Sequence, residues 1–191
     1  MNENEYEKCE EKVLELFEDL NIISFPINPF YIAEKMKILL VKYSDFGLSK
    51  YIELAKRCPD GFNLCNRNEN RFYIYYNDFQ DPKRIRQTIM HEIGHIYSDR
   101  NSDTDEDETF ATHFAGYSLC PTPLLIEMDL DDFDFDLIKN MFDISNQATD
   151  TAIGIKLRRI FVDSREGYSD YENKIIKRFS DFIKKGCKDE G

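Results

Sequence analysis

Apolar residues recur at helical spacing near the start of the chain. Val13, Leu14, Phe17 and Leu20 share one face, so residues 5–20 are expected to form an amphipathic helix. Pro26 and Pro29 interrupt that pattern, and a shorter helix is expected over 30–36. The period then changes. Residues 38–43 are mostly aliphatic, end in an aromatic and read as a strand. Pro59-Asp60-Gly61 marks a turn, and two more strands, 62–65 and 71–76, flank the polar turn 66–70. Asp81-Pro82 opens a long helix reaching about Ser98, with Pro82 suited to its first turn.

Residues 101–107 are acidic and loop-like, and a helix over 108–119 follows, ended by Pro121 and Pro123. The remainder is expected to be helical: 133–141, a helix capped by Ser145 and running to about 161, and 171–185. No internal repeat interrupts this order. A helix, a small three-stranded sheet and then many helices give an α+β fold class. A chain of 191 residues suits one domain with an appended part. We expect a boundary near 125, with 126–191 forming a helical subdomain packed on 1–125.

Composition narrows the function. Asp and Glu number 37 against 25 Lys and Arg, a net charge of −12, which argues against binding nucleic acid by charge alone. A hydrophobic fraction of 41%, with 15 Phe and 11 Tyr, is ample for a core. The longest aliphatic run, 38–41, is far below the roughly 18 residues of a membrane span, so no membrane contact is expected. The acidic start has no apolar stretch, and no two of the five cysteines stand in Cys-x-x-Cys spacing. Reduced thiols in a cytoplasmic protein are the expectation.

The chemistry is concentrated at His91-Glu92-Ile93-Gly94-His95. Two histidines four residues apart lie on one helix face and can bind one zinc ion. Glu92 sits about 100° round the helix from His91, poorly placed as a ligand but able to serve as general base. Ile85, Ile89, Ile93 and Ile96 form a core stripe that leaves both histidines free for a cleft. Catalytic zinc takes three protein ligands. Ser98 and Asn101 exclude the pattern in which a third histidine follows directly. The remaining candidates are Glu106, Glu108, His113 and the aspartates at 103, 105 and 107. On a helix over 108–119, Glu108 shares a face with Ala111 and Ala115, whose small side chains permit close helix approach, and Glu108 is favoured. A second oxyanion donor could be Tyr73, Tyr75 or His113.

The motif, followed by Glu108-x-x-Ala111-x-x-Phe114-Ala115 and Leu119-Cys120-Pro121, resembles the ImmA/IrrE family of bacterial metallopeptidases. Asp60-Gly61-Phe62, Tyr76-Asn77 and Arg86-Gln87-Thr88 agree with it, and the resemblance covers roughly 14–159. Cys120, Ser118 and Met90 depart from the family's usual Met, Leu and small residue, all at packing positions. The resemblance implies a zincin-like fold with the sheet packed on the motif helix and one Zn²⁺ per chain. It implies His91, His95 and Glu108 as ligands and Glu92 as catalytic base. It also implies cytoplasmic cleavage of a helix-turn-helix repressor, often encoded beside the peptidase on a mobile genetic element.

Two other readings compete. One is a DNA-binding regulator using helices over 137–159, where Lys156, Arg158 and Arg159 cluster; the net charge speaks against it. The other is a non-catalytic metal-binding partner protein, for which a carboxylate at Glu92 has no use. An exposed edge at 71–76 would let an extended peptide add as a strand.

Overall fold

A computed structural model describes residues 1–100, 104–130, 132–161 and 167–186. The chain is α+β, as expected. Its elements in order are α1 (Glu3–Asp19), α2 (Pro29–Lys35), β1 (Leu39–Lys42), a short helical turn (Tyr43–Phe46), α3 (Leu48–Arg57), β2 (Gly61–Asn66) and β3 (Arg71–Tyr76). Then come α4 (Pro82–Tyr97), α5 (Asp105–Leu119), α6 (Thr122–Glu127), α7 (Phe135–Phe142), α8 (Asn146–Phe161), α9 (Asp170–Arg178) and α10 (Ser180–Gly186). These divide into two compact units. One contains Met1 and Asn28–Ala115; the other gathers Asn2–Ile27 with the described residues from Gly116 onward.

The first unit holds the sheet. β2 and β3 form an antiparallel hairpin with Asn63 opposite Ile74, while β1 runs parallel to β3 with Leu40 opposite Ile74. The strand order is β1-β3-β2, so β3 is central. The expected edge at 71–76 is therefore corrected: both sides of that strand are paired, and the edges are β1 and β2. Alternation turns Ile74, fully buried, to one face, where α4 packs against β2 and β3. Along α4, Ile89 and Ile93 are fully buried, as the stripe predicts, but so is Met90, because α2 also packs against this helix.

In the second unit, Tyr171 Oη donates to Glu10 at 2.7 Å and Arg178 Nη2 donates to the Phe17 carbonyl at 2.8 Å, fastening α1 to α9. Phe17 and Phe179 meet edge to face at 5.3 Å. The helix expected over 171–185 is broken at Phe179, where φ −102° and ψ 19° leave the helical range while the ring enters this aromatic cluster. Helix α3 was not expected, and none of its residues is buried. Pro121 and Pro123 end α5 but also start α6, where a proline in the first turn costs no hydrogen bond.

Candidate metal centre

Two helix starts build the site. The Asp81 carboxylate accepts from the Lys83 N–H at 2.9 Å and Pro82 takes the first helical position, fixing the start of α4. Thr104 caps α5: its Oγ1 accepts from the Asp107 N–H at 3.2 Å, and its carbonyl accepts from the Glu108 N–H at 3.0 Å. The helix thus begins at Asp105, three residues before the expected start, and Glu108 falls in its acidic first turn, where the helix dipole favours a carboxylate.

Three side chains converge. His91 Nε2 and His95 Nε2 lie 3.1 Å apart. Glu108 Oε2 is 3.3 Å from His91 Nε2, and Glu108 Oε1 is 3.2 Å from His95 Nε2. A tetrahedral ion with bonds of ~2.0–2.1 Å separates its donor atoms by roughly 3.3–3.4 Å. Each carboxylate oxygen lies near that distance from one imidazole, and one ligand atom from each of the three residues lies within 4.8 Å of the others, so the donor set can close on such an ion. Among the described residues, His91, His95 and Glu108 are the group able to hold a metal. His113 is outside it, as are Asp105, Glu106 and Asp107. Asp107 faces Arg100 instead, at 3.5 Å. Asp103 lies outside the described residues.

Each imidazole is oriented from behind. His95 Nδ1 lies 2.6 Å from the Arg100 carbonyl, which can only accept, so the proton sits on Nδ1 and the Nε2 lone pair faces the centre. His91 Nδ1 approaches Thr112 Oγ1 at 3.4 Å. Burial and then the neighbouring His95 push the His91 pKa down, which favours the neutral, ligating form. The close approach of α5 to α4 has its own cause. A Cβ added at Gly94 would sit 3.0 Å from Phe114 Cδ1, so the ring would have to give by a few tenths of an ångström to keep this crossing.

Glu92 is buried beside the centre and accepts a hydrogen bond from Asn63 Nδ2 at 2.8 Å on its Oε2. Burial pushes its carboxyl pKa up, while Asn63 and His95 pull the other way. A carboxyl group shifted upward suits the role of a general base. Asn63 was missed in the sequence, because its role depends on β2 lying over α4. The oxyanion candidates fare differently. Tyr73 Oη donates to Glu69 at 2.8 Å, and Tyr75 stacks on Phe62 with ring centroids 5.0 Å apart.

Two of the three residues of the basic cluster on α8 are withdrawn from the surface, while Arg158 is exposed. Lys156 is buried and donates to the Leu130 carbonyl, and Arg159 is buried against the Glu172 carboxylate. Cys9, Cys58, Cys65 and Cys120 are free thiols; Cys187 lies outside the described residues. Among the described residues no helix is long and apolar enough to cross a membrane.

The family model described as the IrrE N-terminal-like domain matches residues 51–153, a span that contains α4, the first turns of α5 and β2. No curated protein and no protein of solved structure matches the chain.

Proposed function

The chain belongs to the peptidase family of the IrrE N-terminal-like domain, and from that membership we propose that it is a zinc-dependent endopeptidase. His91, His95 and Glu108 are the metal ligands in this reading, one ion per chain, and Glu92 is the general base. The observation that carries it is the convergence of two imidazoles and a carboxylate from two helices, with contacts of 3.1–3.3 Å and a second, buried carboxylate beside them. Two imidazoles and a carboxylate suit Zn²⁺.

When bound, the metal supplies Lewis-acid polarisation of the scissile carbonyl and of the attacking water. Glu92 takes the proton of that water on Oε1, since Oε2 already accepts from Asn63. The same carboxyl then gives the proton to the leaving amine nitrogen, so the proton count closes. The free side of β2 is the edge nearest Glu92 and suits an extended peptide added as a strand.

A peptidase family implies a protein substrate. The resemblance to ImmA/IrrE points to a helix-turn-helix repressor in the cytoplasm, and a net charge of −12 favours encounter with a basic partner. The test is to mix the purified protein with the helix-turn-helix protein encoded beside it, with and without a chelator, and to look for fragments by mass spectrometry. Chelator-sensitive fragments that vanish in Glu92→Gln are expected. Intact protein across several salt concentrations would reject this substrate.

A further inference from the structure

The face of the sheet turned away from α4 is apolar and, among the described residues, partly open to solvent. By register and alternation it carries two cross-strand rows, Leu39-Tyr73-Leu64 and Val41-Tyr75-Phe62. Leu39 is 40% exposed and Leu64 53%, and the other four are only half-buried. Phe46 extends the face, its ring 6.0 Å from that of Tyr75. An apolar face left open to solvent is available to a partner.

The edges of the face are charged. Arg71 shares the outward register of Tyr73 and Tyr75, Arg67 lies in the adjoining turn, and Lys37 precedes β1 at the same end; all three are exposed. The one carboxylate in that turn, Glu69, is engaged by Tyr73. That end of the face is cationic in a protein of net charge −12.

Three occupants can be weighed. Single-stranded nucleic acid needs open ring faces to stack on. Here Phe62 and Tyr75 are engaged with one another, their centroids 5.0 Å apart, and a net charge of −12 opposes a phosphate backbone. A second copy of this chain needs about 800 Å² on each partner. Three strands ~4.8 Å apart and two rows of residues give a footprint on the order of 200 Å², too small for that. The footprint suits a single helix about 10 Å wide.

We propose that this outer sheet face docks an amphipathic helical segment of a partner protein, apolar on one side and acidic at the end that meets Lys37, Arg67 and Arg71. The proposal is independent of the peptidase reading, because the face lies on the opposite side of the sheet from α4.

The test uses the full chain and synthetic amphipathic helical peptides labelled for fluorescence anisotropy. One peptide carries glutamates at one end of its apolar stripe, its twin has lysines at the same positions, and a third scrambles the stripe. The acidic peptide should bind at least roughly tenfold more tightly than either of the others. Leu39→Asp should abolish binding, and Arg71→Glu should reverse the preference between the twins. Should Leu39→Asp lose its circular dichroism spectrum, Arg71→Glu, at an exposed position, carries the decision. Equal binding of the twins, no binding of the acidic peptide up to ~1 mM, or an unchanged preference in Arg71→Glu would overturn the proposal. So would a concentration-dependent dimer, or oligo(dT) binding, that Leu39→Asp removes.

Discussion

Phe114 packs so closely on Gly94 that a Cβ there would sit 3.0 Å from its Cδ1 and 3.2 Å from its Cβ. This contact sets the spacing of α4 and α5, and through it the distance from Glu108 to the two histidines. Gly94→Ala should therefore weaken metal binding. Overpacking costs about 1–3 kcal/mol, and the gain in helix propensity offsets about 1 kcal/mol of it. Gly116→Ala is the control: its Cβ meets nothing within 4 Å, so it should stabilise by up to ~1 kcal/mol and leave metal affinity alone. Titration with Zn²⁺ beside thermal unfolding separates the two; equal metal affinity in both variants would sever the link between the helix crossing and the site.

Loss of a ligand should exceed loss of an outer hydrogen-bond partner. Glu108→Ala should lower Zn²⁺ affinity by more than the roughly 10–100-fold typical of an orienting residue. Thr112→Val, which removes the contact to His91 Nδ1, should fall at the lower end of that range. Metal content after dialysis against a competing chelator gives the order, and full occupancy in Glu108→Ala would remove it from the ligand set.

Glu92→Gln leaves the three donors in place and removes the base. We expect unchanged metal content and a fall in turnover of about 10²–10⁴-fold. Near wild-type cleavage by this variant would eliminate the proposed proton path.

The Asn63 hydrogen bond stabilises the charged form of Glu92, so it opposes the upward push of burial. Removing the donor raises the carboxyl pKa further. The base works only when deprotonated, so in Asn63→Ala the acidic limb of kcat/KM should move to higher pH. A limb that stays in place, or moves down, contradicts the role given to Asn63.

The helical unit supplies a separate test. Arg159 and Glu172 form a buried ion pair, and Glu172 also accepts from the Ser169 N–H at 2.8 Å. Glu172→Ala strands a buried guanidinium and should cost about 3–5 kcal/mol in denaturant unfolding. Arg159→Met with Glu172→Leu should recover most of that, apart from about 1 kcal/mol for the weakened cap at Ser169.

The motif helix and its histidines could be read from the chain because a spacing of four residues on a helix is a local property. Glu108 was reachable by the same geometry, since Ala111 and Ala115 mark the face that approaches. Asn63 was not, because nothing local to β2 says that it lies over Glu92. Strand order was hidden for the same reason: alternation identifies strands but not neighbours, so 71–76 looked like an edge when it is the centre. The burial of Lys156 and Arg159 on α8 was not legible either, because it is decided by Leu130 and Glu172, well separated from them in sequence.

Helix α1 belongs with α9, yet 150 residues lie between the end of one and the start of the other. At 5–20 residues per second, synthesis of that interval takes roughly 8–30 s. Throughout it, the side of α1 bearing Val13, Leu16 and Phe17, all fully buried in the finished fold, has no α9 to close over it. The capping box between Asn2 and Glu5 is local and is complete as soon as the first turn leaves the ribosome. The sheet-bearing unit, continuous from Asn28 to Ala115, emerges during the same wait. The order of synthesis therefore leaves that side of α1 without its partner until α9 has been made.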